Sequence, residues 1–327
     1  MKTTYVHLEQ QNAVVSPASG KPCVATVGFF DGVHLGHKHL INKMCEYARQ
    51  YDMETAVVTF ERHPRQVLNP DWHPQLLTSL DEKAILLAQT GIDRMVVLQF
   101  DSLMASLSAR QFMQLILKER LGVATLFTGY DNRFGHQRQE GFADYVNYGR
   151  SMGMEVLQAD ELEAGGLKVS SSAVRNYLAQ GDVAKAAQCL GHPYFMAGTI
   201  VRGQHIGTGI GFPTANLQPE EPLKLIPAPG VYAVRVRLED SLETKHAMMN
   251  IGRRPTFHGS KQTLEAHILR FQGDIYGQRM IVLWEQRLRD ERRFDSREAL
   301  VSQLRLDAEA AEQCLNTHSN DSLFQHL

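Results

Sequence analysis

The apolar pattern of this 327-residue chain changes between residues 183 and 197, and that change constrains its fold more than any other feature. Before it, short apolar runs such as residues 24–29, 55–60 and 125–128 alternate with segments of helical spacing. This alternation is typical of right-handed βαβ units, so we predict an α/β fold with a Rossmann-like parallel sheet. After it, period-two runs broken by glycine and proline predict an antiparallel barrel or sandwich. A helix over residues 296–315 is predicted to close the chain.

The length and composition favour two soluble domains, which we place at residues 1–183 and 184–327. A net charge of −2 gives no basic field, so nucleic acid is not an expected partner. No apolar run approaches the roughly 20 residues of a membrane span, and the N-terminus lacks the apolar core of a signal peptide. Isolated cysteines at positions 23, 45, 189 and 314 indicate neither a zinc site nor a disulfide framework. We therefore predict a cytoplasmic protein with no membrane partner.

One stretch in the first half combines a strand, a tight loop and a helix, with the sequence VATVGFFDGVHLGH at residues 24–37. Gly28, Gly32 and Gly36 let the backbone approach a phosphate closely. His34 and His37 lie at or just before a predicted helix N-terminus, which favours an anion. Two imidazoles in that position are suited to a nucleotide triphosphate. The simpler interpretation is a structural strand-to-helix turn with two surface histidines.

Polar clusters recur at the ends of the predicted strands. Because the carboxyl ends of parallel strands meet at one edge of a sheet, where ligands bind, we expect these clusters to lie together. Four clusters at one edge favour a binding site over solvated loops. They are Asp31 with His34 and His37, His63 with Arg65, Asp131 with Asn132 and Arg133, and Ser170, Ser171 and Ser172 with Arg175.

In the second half, the run from residue 203 to residue 216 is rich in glycine and ends with Thr214 and Asn216. Their neutral oxygens project in the same direction if the run is extended, and such oxygens suit Mg2+. Taken alone, the run is better explained as a β-turn and strand. Glu265 lies between Leu264 and Ala266 on a predicted strand, so its carboxylate should point away from the apolar face.

Several motifs give the chain a family resemblance. Residues 28–37, with Gly-Phe-Phe-Asp-Gly followed by His-Leu-Gly-His, resemble the nucleotidyltransferase superfamily and, within it, the FAD synthetase branch. Gly-Phe-Pro-Thr-Ala-Asn at residues 211–216 looks like the signature of riboflavin kinases. With Leu-Glu-Ala-His at residues 264–267, these motifs are similar to those of the bacterial bifunctional riboflavin kinase/FAD synthetase family over nearly the whole chain. The resemblance implies that a C-terminal barrel phosphorylates riboflavin to FMN, and that the N-terminal domain adenylylates FMN to FAD.

The resemblance also implies roles for individual residues, with ATP, riboflavin and FMN as substrates and Mg2+ as cofactor. Glu265 would be the base that positions or deprotonates the riboflavin hydroxyl, and Thr214 and Asn216 would hold Mg2+. His34 and His37 would stabilise the α-phosphate of ATP, and Ser172 with Arg175 would stabilise the departing pyrophosphate. The implied nucleotide-binding set is Gly28, Phe29, Asp31, Gly32, Gly36, Ser170, Ser171, Ser172, Gly207, Thr208 and Gly209, and the implied flavin-binding set is Asp131, Asn132 and Phe134.

The chain departs from the family pattern in three places. Thr208 follows Gly207 where the family usually has arginine, and Asn132 replaces an aromatic residue. The third is a mild change, because residues 170–175 read Ser-Ser-Ser-Ala-Val-Arg where the family has Ser-Ser-Thr-x-Ile-Arg. Two alternatives stay open on the sequence: a single-activity FMN adenylyltransferase with a non-catalytic flavin-binding barrel, and a barrel that senses flavin or binds a partner. The sequence gives no prediction of oligomeric state.

Overall fold

The computed structural model describes residues 1–6, 20–69, 71–130, 132–136, 140–162, 164–203, 209, 211–239, 241, 243–256 and 259–317. The chain divides into two compact units. The first contains Met1–Pro74 and Leu80–Val169, and the second contains Gln75–Ser79 and Ser170–Leu327. The second compact unit already includes the chain from Ser170 onward, whereas the predicted domain boundary follows residue 183. That boundary remains a prediction.

The first unit is built on a parallel sheet, as predicted. Among the described residues, its strands have the order β1-β4-β3-β2-β5-β6 and every neighbouring pair is parallel. The strands are β1 Lys2–Val6, β2 Cys23–Val27, β3 Glu54–Phe60, β4 Arg94–Leu98, β5 Val123–Thr128 and β6 Glu155–Gln158. Every residue of β2, β3 and β4 is buried, which explains why these strands are continuous apolar runs in the sequence.

Helices connect these strands and cover the sheet. They are α1 Leu35–Gln50, α2 Pro64–Leu68, α3 Leu80–Ala88, α4 Ser102–Ser106, α5 Ala109–Gln111 and α6 Phe142–Met152, with wider π-helical turns over Phe112–Arg120. Ser108 and Gln111 form a capping box at the start of α5, because each side chain bonds the backbone N–H of the other residue. Apolar residues of α1, including Ile41 and Met44, are fully buried and supply the helical spacing seen in the sequence.

The second unit begins with two short helices, α7 Ser171–Gln180 and α8 Val183–Leu190, and continues as a closed antiparallel barrel. The sequence left a barrel and a sandwich open, and the structure shows the barrel. Its described strands follow the closed order β10-β11-β8-β7-β12-β9. They are β7 Tyr194–Val201, β8 Ala215–Pro219, β9 Gly230–Leu238, β10 Lys245–Thr256, β11 Gly259–Ile268 and β12 Arg279–Arg289.

The predicted closing helix is present as α9, Arg297–Thr317, and it is fixed to the barrel by both charge and apolar contact. The Asp307 carboxylate is 3% exposed and accepts hydrogen bonds from the Arg289 guanidinium, the shortest at 2.6 Å. Removing either partner would leave the other buried and uncompensated, so the pair fixes the helix position. Ala311 and Leu315 pack with Ala233 and Met248 of the barrel.

None of the helices in the described part of the chain has the length and apolar character needed to cross a membrane.

Candidate active sites

The predicted phosphate-binding stretch leaves the central strand of the first sheet where the strand order reverses. Strand β2 pairs with β3 on one side and β5 on the other, so its carboxyl end opens onto the crevice where ligands bind in open α/β sheets. Two other predicted clusters meet it there. Asn132, after β5, donates from Nδ2 to the Val27 carbonyl at 2.5 Å, and His63, after β3, packs its ring 4.7 Å from that of Phe29.

The loop after β2 has an unusual backbone. Phe30 and Val33 have positive φ angles of 52° and 41°, in a region that side chains with a Cβ rarely occupy. Gly32 lies between them at a φ of 80°. Such conformations persist only when their surroundings hold them, and they concentrate at ligand sites. At Gly36 the reason for glycine is close packing rather than backbone conformation, because a Cβ there would lie 3.2 Å from the His34 ring.

The two histidines of the stretch lie at the start of α1, as the sequence predicted, and the structure shows that their rings lie one over the other. His34 is the N-cap, and its Nδ1 accepts a hydrogen bond from the His37 backbone N–H at 3.3 Å. That acceptor role puts the proton of a neutral His34 on Nε2. The two rings stack with centroids 3.6 Å apart and planes 16° apart. His34 is buried and His37 is partly exposed. The two residues are therefore not the surface histidines that the simpler interpretation required.

His37 is held in the neutral form. Burial lowers its pKa well below the usual 6.5, and the charges of His34 and Lys83 lower it further. Its Nδ1 is buried and has no hydrogen-bond partner in the described part of the protein. An unsatisfied buried nitrogen is costly, so this atom is a candidate contact for a bound group.

A lysine that the sequence analysis missed completes the first site. Lys83 of α3 is only 2% exposed, and its Nζ lies 3.3 Å from Thr59 Oγ1 and 3.9 Å from the Phe29 ring centroid. Burial lowers its pKa to about 8, against the opposing effect of the Asp31 carboxylate, which is itself buried. No local pattern marks this lysine, because Thr59 lies 24 residues away in the sequence.

Two residues of the predicted flavin-binding set, Asn132 and Phe134, make contacts within the protein. Asn132 bonds the end of β2, as described above. Phe134 stacks on Tyr145 with centroids 4.2 Å apart, and its backbone N–H donates to the Tyr145 hydroxyl at 3.0 Å. Asp131 lies outside the described residues. A flavin-binding role for these three positions therefore remains a prediction.

The predicted pyrophosphate cluster lies at the start of α7 in the second unit. Ser170 is the N-cap of α7, where its hydroxyl accepts from the Ala173 N–H at 3.1 Å. Ser171 begins the helix, Ser172 is exposed, and the Arg175 Nε donates to the Gln75 carbonyl at 2.8 Å. Their contribution to the ATP site remains a prediction.

The barrel places Glu265 between two asparagines. Strand β11 lies between β8 and β10, and Glu265 is directly opposite Asn216 on one side and Asn250 on the other. Directly opposed residues share one face of a sheet, so the three side chains form a polar row. All three are half-buried, whereas the neighbouring residues Leu264 and Ala266 are buried. The predicted orientation of Glu265 away from the apolar face is confirmed.

The segment before Asn216 is held in place by the same strand. His267 shares the face of Glu265, and its Nδ1 lies 2.8 Å from the Pro213 carbonyl. A carbonyl only accepts, so His267 carries its proton on Nδ1. The Phe212 ring packs 5.1 Å from the His267 ring. These contacts fix the backbone on the N-terminal side of Thr214, which is half-buried.

The first residue of the glycine-rich run approaches the polar row closely. Gly203 lies against the Asn216 carboxamide, and any Cβ at residue 203 would collide with it. The Gly209 carbonyl accepts a hydrogen bond from the guanidinium of Arg297, at the start of α9. Gly207 and Thr208 lie outside the described residues.

Thr214 and Asn216 carry neutral side-chain oxygens, and the Glu265 carboxylate lies on the strand beside Asn216. These residue types fit Mg2+. This ion takes few protein ligands and shares the phosphates of its substrate, so two neutral oxygens beside a carboxylate are sufficient.

Comparison with known proteins identifies both halves. The FAD synthetase family model matches residues 16–173, and the riboflavin kinase model matches residues 190–315. A bifunctional riboflavin kinase/FMN adenylyltransferase of Pseudomonas fluorescens is 39% identical over 290 residues, 88% of this chain and 92% of the relative. The protein of that name from Escherichia coli K12 is 37% identical over 301 residues, 91% of this chain and 95% of the relative.

A solved structure from Streptococcus pneumoniae shares the whole architecture. It has a TM-score of 0.85 and 32% identity, and the match covers 94% of this chain and 98% of that one. That protein is described as a macrolide-efflux protein, a function that neither family model nor either bifunctional relative shares. We therefore take from it the fold alone. The chain belongs to the bifunctional riboflavin kinase/FMN adenylyltransferase family: it is a transferase with the adenylyltransferase in its N-terminal part and the kinase in its C-terminal part.

Proposed function

We propose that residues 28–37 bind the triphosphate of ATP and that His34 and His37 stabilise the adenylyl-transfer transition state. The observation that carries this proposal is the pair of stacked imidazoles at the N-terminus of α1, beside the switch point of the sheet. Gly28, Phe29, Asp31, Gly32 and Gly36 form the surrounding loop. Free N–H groups and the positive end of the helix dipole favour phosphate there.

In the proposed reaction, a phosphate oxygen of FMN attacks the α-phosphorus of ATP. The new P–O bond forms as the bond to the β-phosphate oxygen breaks, and pyrophosphate leaves with the electron pair. No protein nucleophile is needed. His34 donates from Nε2, because its Nδ1 is occupied by the His37 backbone. His37, neutral across the physiological range, donates from one ring nitrogen to the developing charge.

The departing pyrophosphate is assigned to α7. Ser170, Ser171 and Ser172 lie at the N-terminus of that helix and Arg175 lies one turn further on. A guanidinium presents a planar fork of donors to phosphate oxygens. Asp131, Asn132 and Phe134 are assigned to the flavin, and the domain boundary is placed at residue 183.

In the kinase half, Glu265 positions the ribityl hydroxyl of riboflavin and accepts its proton as the hydroxyl oxygen attacks the γ-phosphorus of ATP. The bond from the γ-phosphorus to the bridging oxygen breaks, and ADP leaves with the electron pair. Asn216 and Asn250, on either side, restrict the orientation of the carboxylate. Thr214 and Asn216 would hold Mg2+. When bound, this ion neutralises charge on the transferring phosphoryl group. Gly207, Thr208 and Gly209 are assigned to the phosphates of the second ATP.

We also propose a cytoplasmic location, on the composition and cysteine pattern of the chain, with ATP, riboflavin and FMN as its substrates and neither nucleic acid nor a membrane as a partner. The experiment that tests the functional assignment is product analysis with riboflavin as the only flavin, in the presence of ATP and Mg2+. FAD formation by way of FMN is expected. FMN alone would show that the adenylyltransferase half is inactive, and binding without turnover would favour a sensing role for the barrel. Supplying FMN then tests the N-terminal half directly.

A further inference from the structure

We propose that Lys83 is a positioning residue for adenylyl transfer: its buried ammonium fixes the loop after β2 in the conformation that presents His37 and the backbone N–H groups to the triphosphate. The inference rests on the assignment of residues 28–37 as the ATP site. Lys83 lies on α3, outside every motif recognised in the sequence.

Lys83 holds Phe29 in two ways. Its Nζ lies 3.9 Å from the centroid of the Phe29 ring, within the range of a cation–π contact. Nζ also donates to Thr59 Oγ1 at 3.3 Å, and the Thr59 hydroxyl donates to the Phe29 carbonyl at 3.1 Å. A hydroxyl has one proton, so its bond to the carbonyl requires the lysine to be the donor to its oxygen. Ring and backbone of Phe29 are therefore fixed by one side chain.

The residue after this anchor has the strained backbone. Phe30 adopts a φ of 52°, and its ring packs 5.0 Å from the His37 ring in an edge contact. A non-glycine residue remains in this region only if its neighbours hold it there. Fixing Phe29 thus fixes the start of the strained segment. It also fixes Phe30, whose ring packs against one side of the His37 imidazole.

The charges around Lys83 support a functional placement. The buried carboxylate of Asp31 raises the pKa of Lys83, against the burial that lowers it to about 8, and the Lys83 charge lowers the pKa of His37. The lysine therefore balances Asp31 and adds to the effects of burial and His34, which already lower the pKa of His37. A desolvated ammonium adds little to stability, and an apolar side chain of similar volume often serves packing better. Such a placement is expected where activity, rather than packing, requires the charge.

The test is Lys83→Met, which keeps the length of the side chain and removes the charge. We expect kcat/KM for FMN adenylylation to fall by about tenfold to a hundredfold, the value of a hydrogen bond to a charged group. Riboflavin phosphorylation, measured on the same preparation, should stay within about twofold. The melting temperature is measured in parallel, because loss of the charge that balances the buried Asp31 carboxylate lowers the stability of the fold. Lys83→Arg, which restores the charge, should recover part of the adenylylation rate.

Two further variants decide the outcome if Lys83→Met folds poorly. Thr59→Val removes the hydroxyl relay with little change in volume and should lower adenylylation in the same direction. Leu87→Ala, on the same helix and fully buried, should lower the melting temperature while leaving the adenylylation rate of the folded protein intact. Adenylylation by Lys83→Met within about twofold of wild type would overturn the inference, as would an equal loss in Leu87→Ala. An unchanged rate in His37→Ala would instead overturn the assignment of the ATP site.

Discussion

Replacement of His37 by alanine separates the two activities of this chain. The ring removed is stacked 3.6 Å from His34, and its Nδ1 is buried with no partner in the described residues. Loss of one preorganised transition-state donor costs about 2.7–4 kcal/mol, which corresponds to a fall of about 10²- to 10³-fold in kcat. FMN adenylylation should fall by that factor, and phosphorylation of riboflavin by the barrel should be unchanged.

The stability of this variant should change little, because two effects oppose one another. Truncation removes contacts with Phe30 and His34, but it also removes a buried nitrogen whose unsatisfied state costs about 1–3 kcal/mol. The activity loss will therefore not be a loss of folded protein, and circular dichroism melting checks this.

His39→Ala is the matched control. His39 lies on the same helix, where it is partly exposed and pairs with Asp160 at 3.2 Å, away from the stacked pair. Steady-state kinetics with FMN and ATP should show wild-type turnover for this variant. Wild-type turnover of His37→Ala would refute the assignment of the stretch as the ATP site, and equal losses in both variants would point to damage to α1 rather than to a missing donor.

Three other outcomes follow from the structure. Glu265→Gln, which preserves shape but cannot accept the proton, should reduce FMN formation from riboflavin by about 10²- to 10⁴-fold and leave FMN-to-FAD conversion intact; parallel loss of both would contradict a separate kinase site. Thr208→Arg should lower the kinase KM for ATP by up to about tenfold without affecting adenylylation, and an unchanged KM would mean that a cation such as Arg297, which bonds Gly209, already serves the phosphates. The pKa of His37 in the folded protein lies well below 6.5, so below about pH 6.5 the unfolded chain takes up a proton on this residue that the folded protein does not. The melting temperature of wild type, relative to that of His37→Gln, should therefore fall as the pH drops below about 6.5. A difference that does not depend on pH would argue against a buried neutral imidazole.

The elements that the sequence predicted are those whose periodicity reflects local burial. Strands of the first sheet are buried on both faces and therefore appear as apolar runs, and α1 shows its buried side at helical spacing. The missed elements lack that signal. Strand β1 lies at the sheet edge and is mostly exposed, and α2 is a single short turn that starts at Pro64. After α5, the change to π-helical turns over Phe112–Arg120 leaves the apolar pattern intact, so nothing in the sequence marks it.

The same distinction applies to the sites. His34 and His37 belong to one turn of chain, and their placement at a helix start could be predicted from spacing. The row of Asn216, Glu265 and Asn250 depends on the register of three strands, which is decided by barrel closure. Lys83 reaches the loop from another helix, and a lysine in a helical pattern is ordinarily assigned to the solvent face. Contacts between residues that are distant in the sequence therefore could not be predicted from the sequence.

The central claim is that adenylylation and phosphorylation take place at two separate sites of one chain, the first depending on His37 and the second on Glu265. Complementation in solution tests it most directly: His37→Ala and Glu265→Gln are each incubated with riboflavin, ATP and Mg2+, alone and mixed, and the flavins are separated by chromatography. His37→Ala alone should produce FMN and little FAD, Glu265→Gln alone should produce neither, and the mixture should produce FAD because FMN made by one variant is adenylylated by the other. A mixture that yields no FAD, although Glu265→Gln folds and His37→Ala supplies FMN, would contradict the assignment of the two reactions to separate sites.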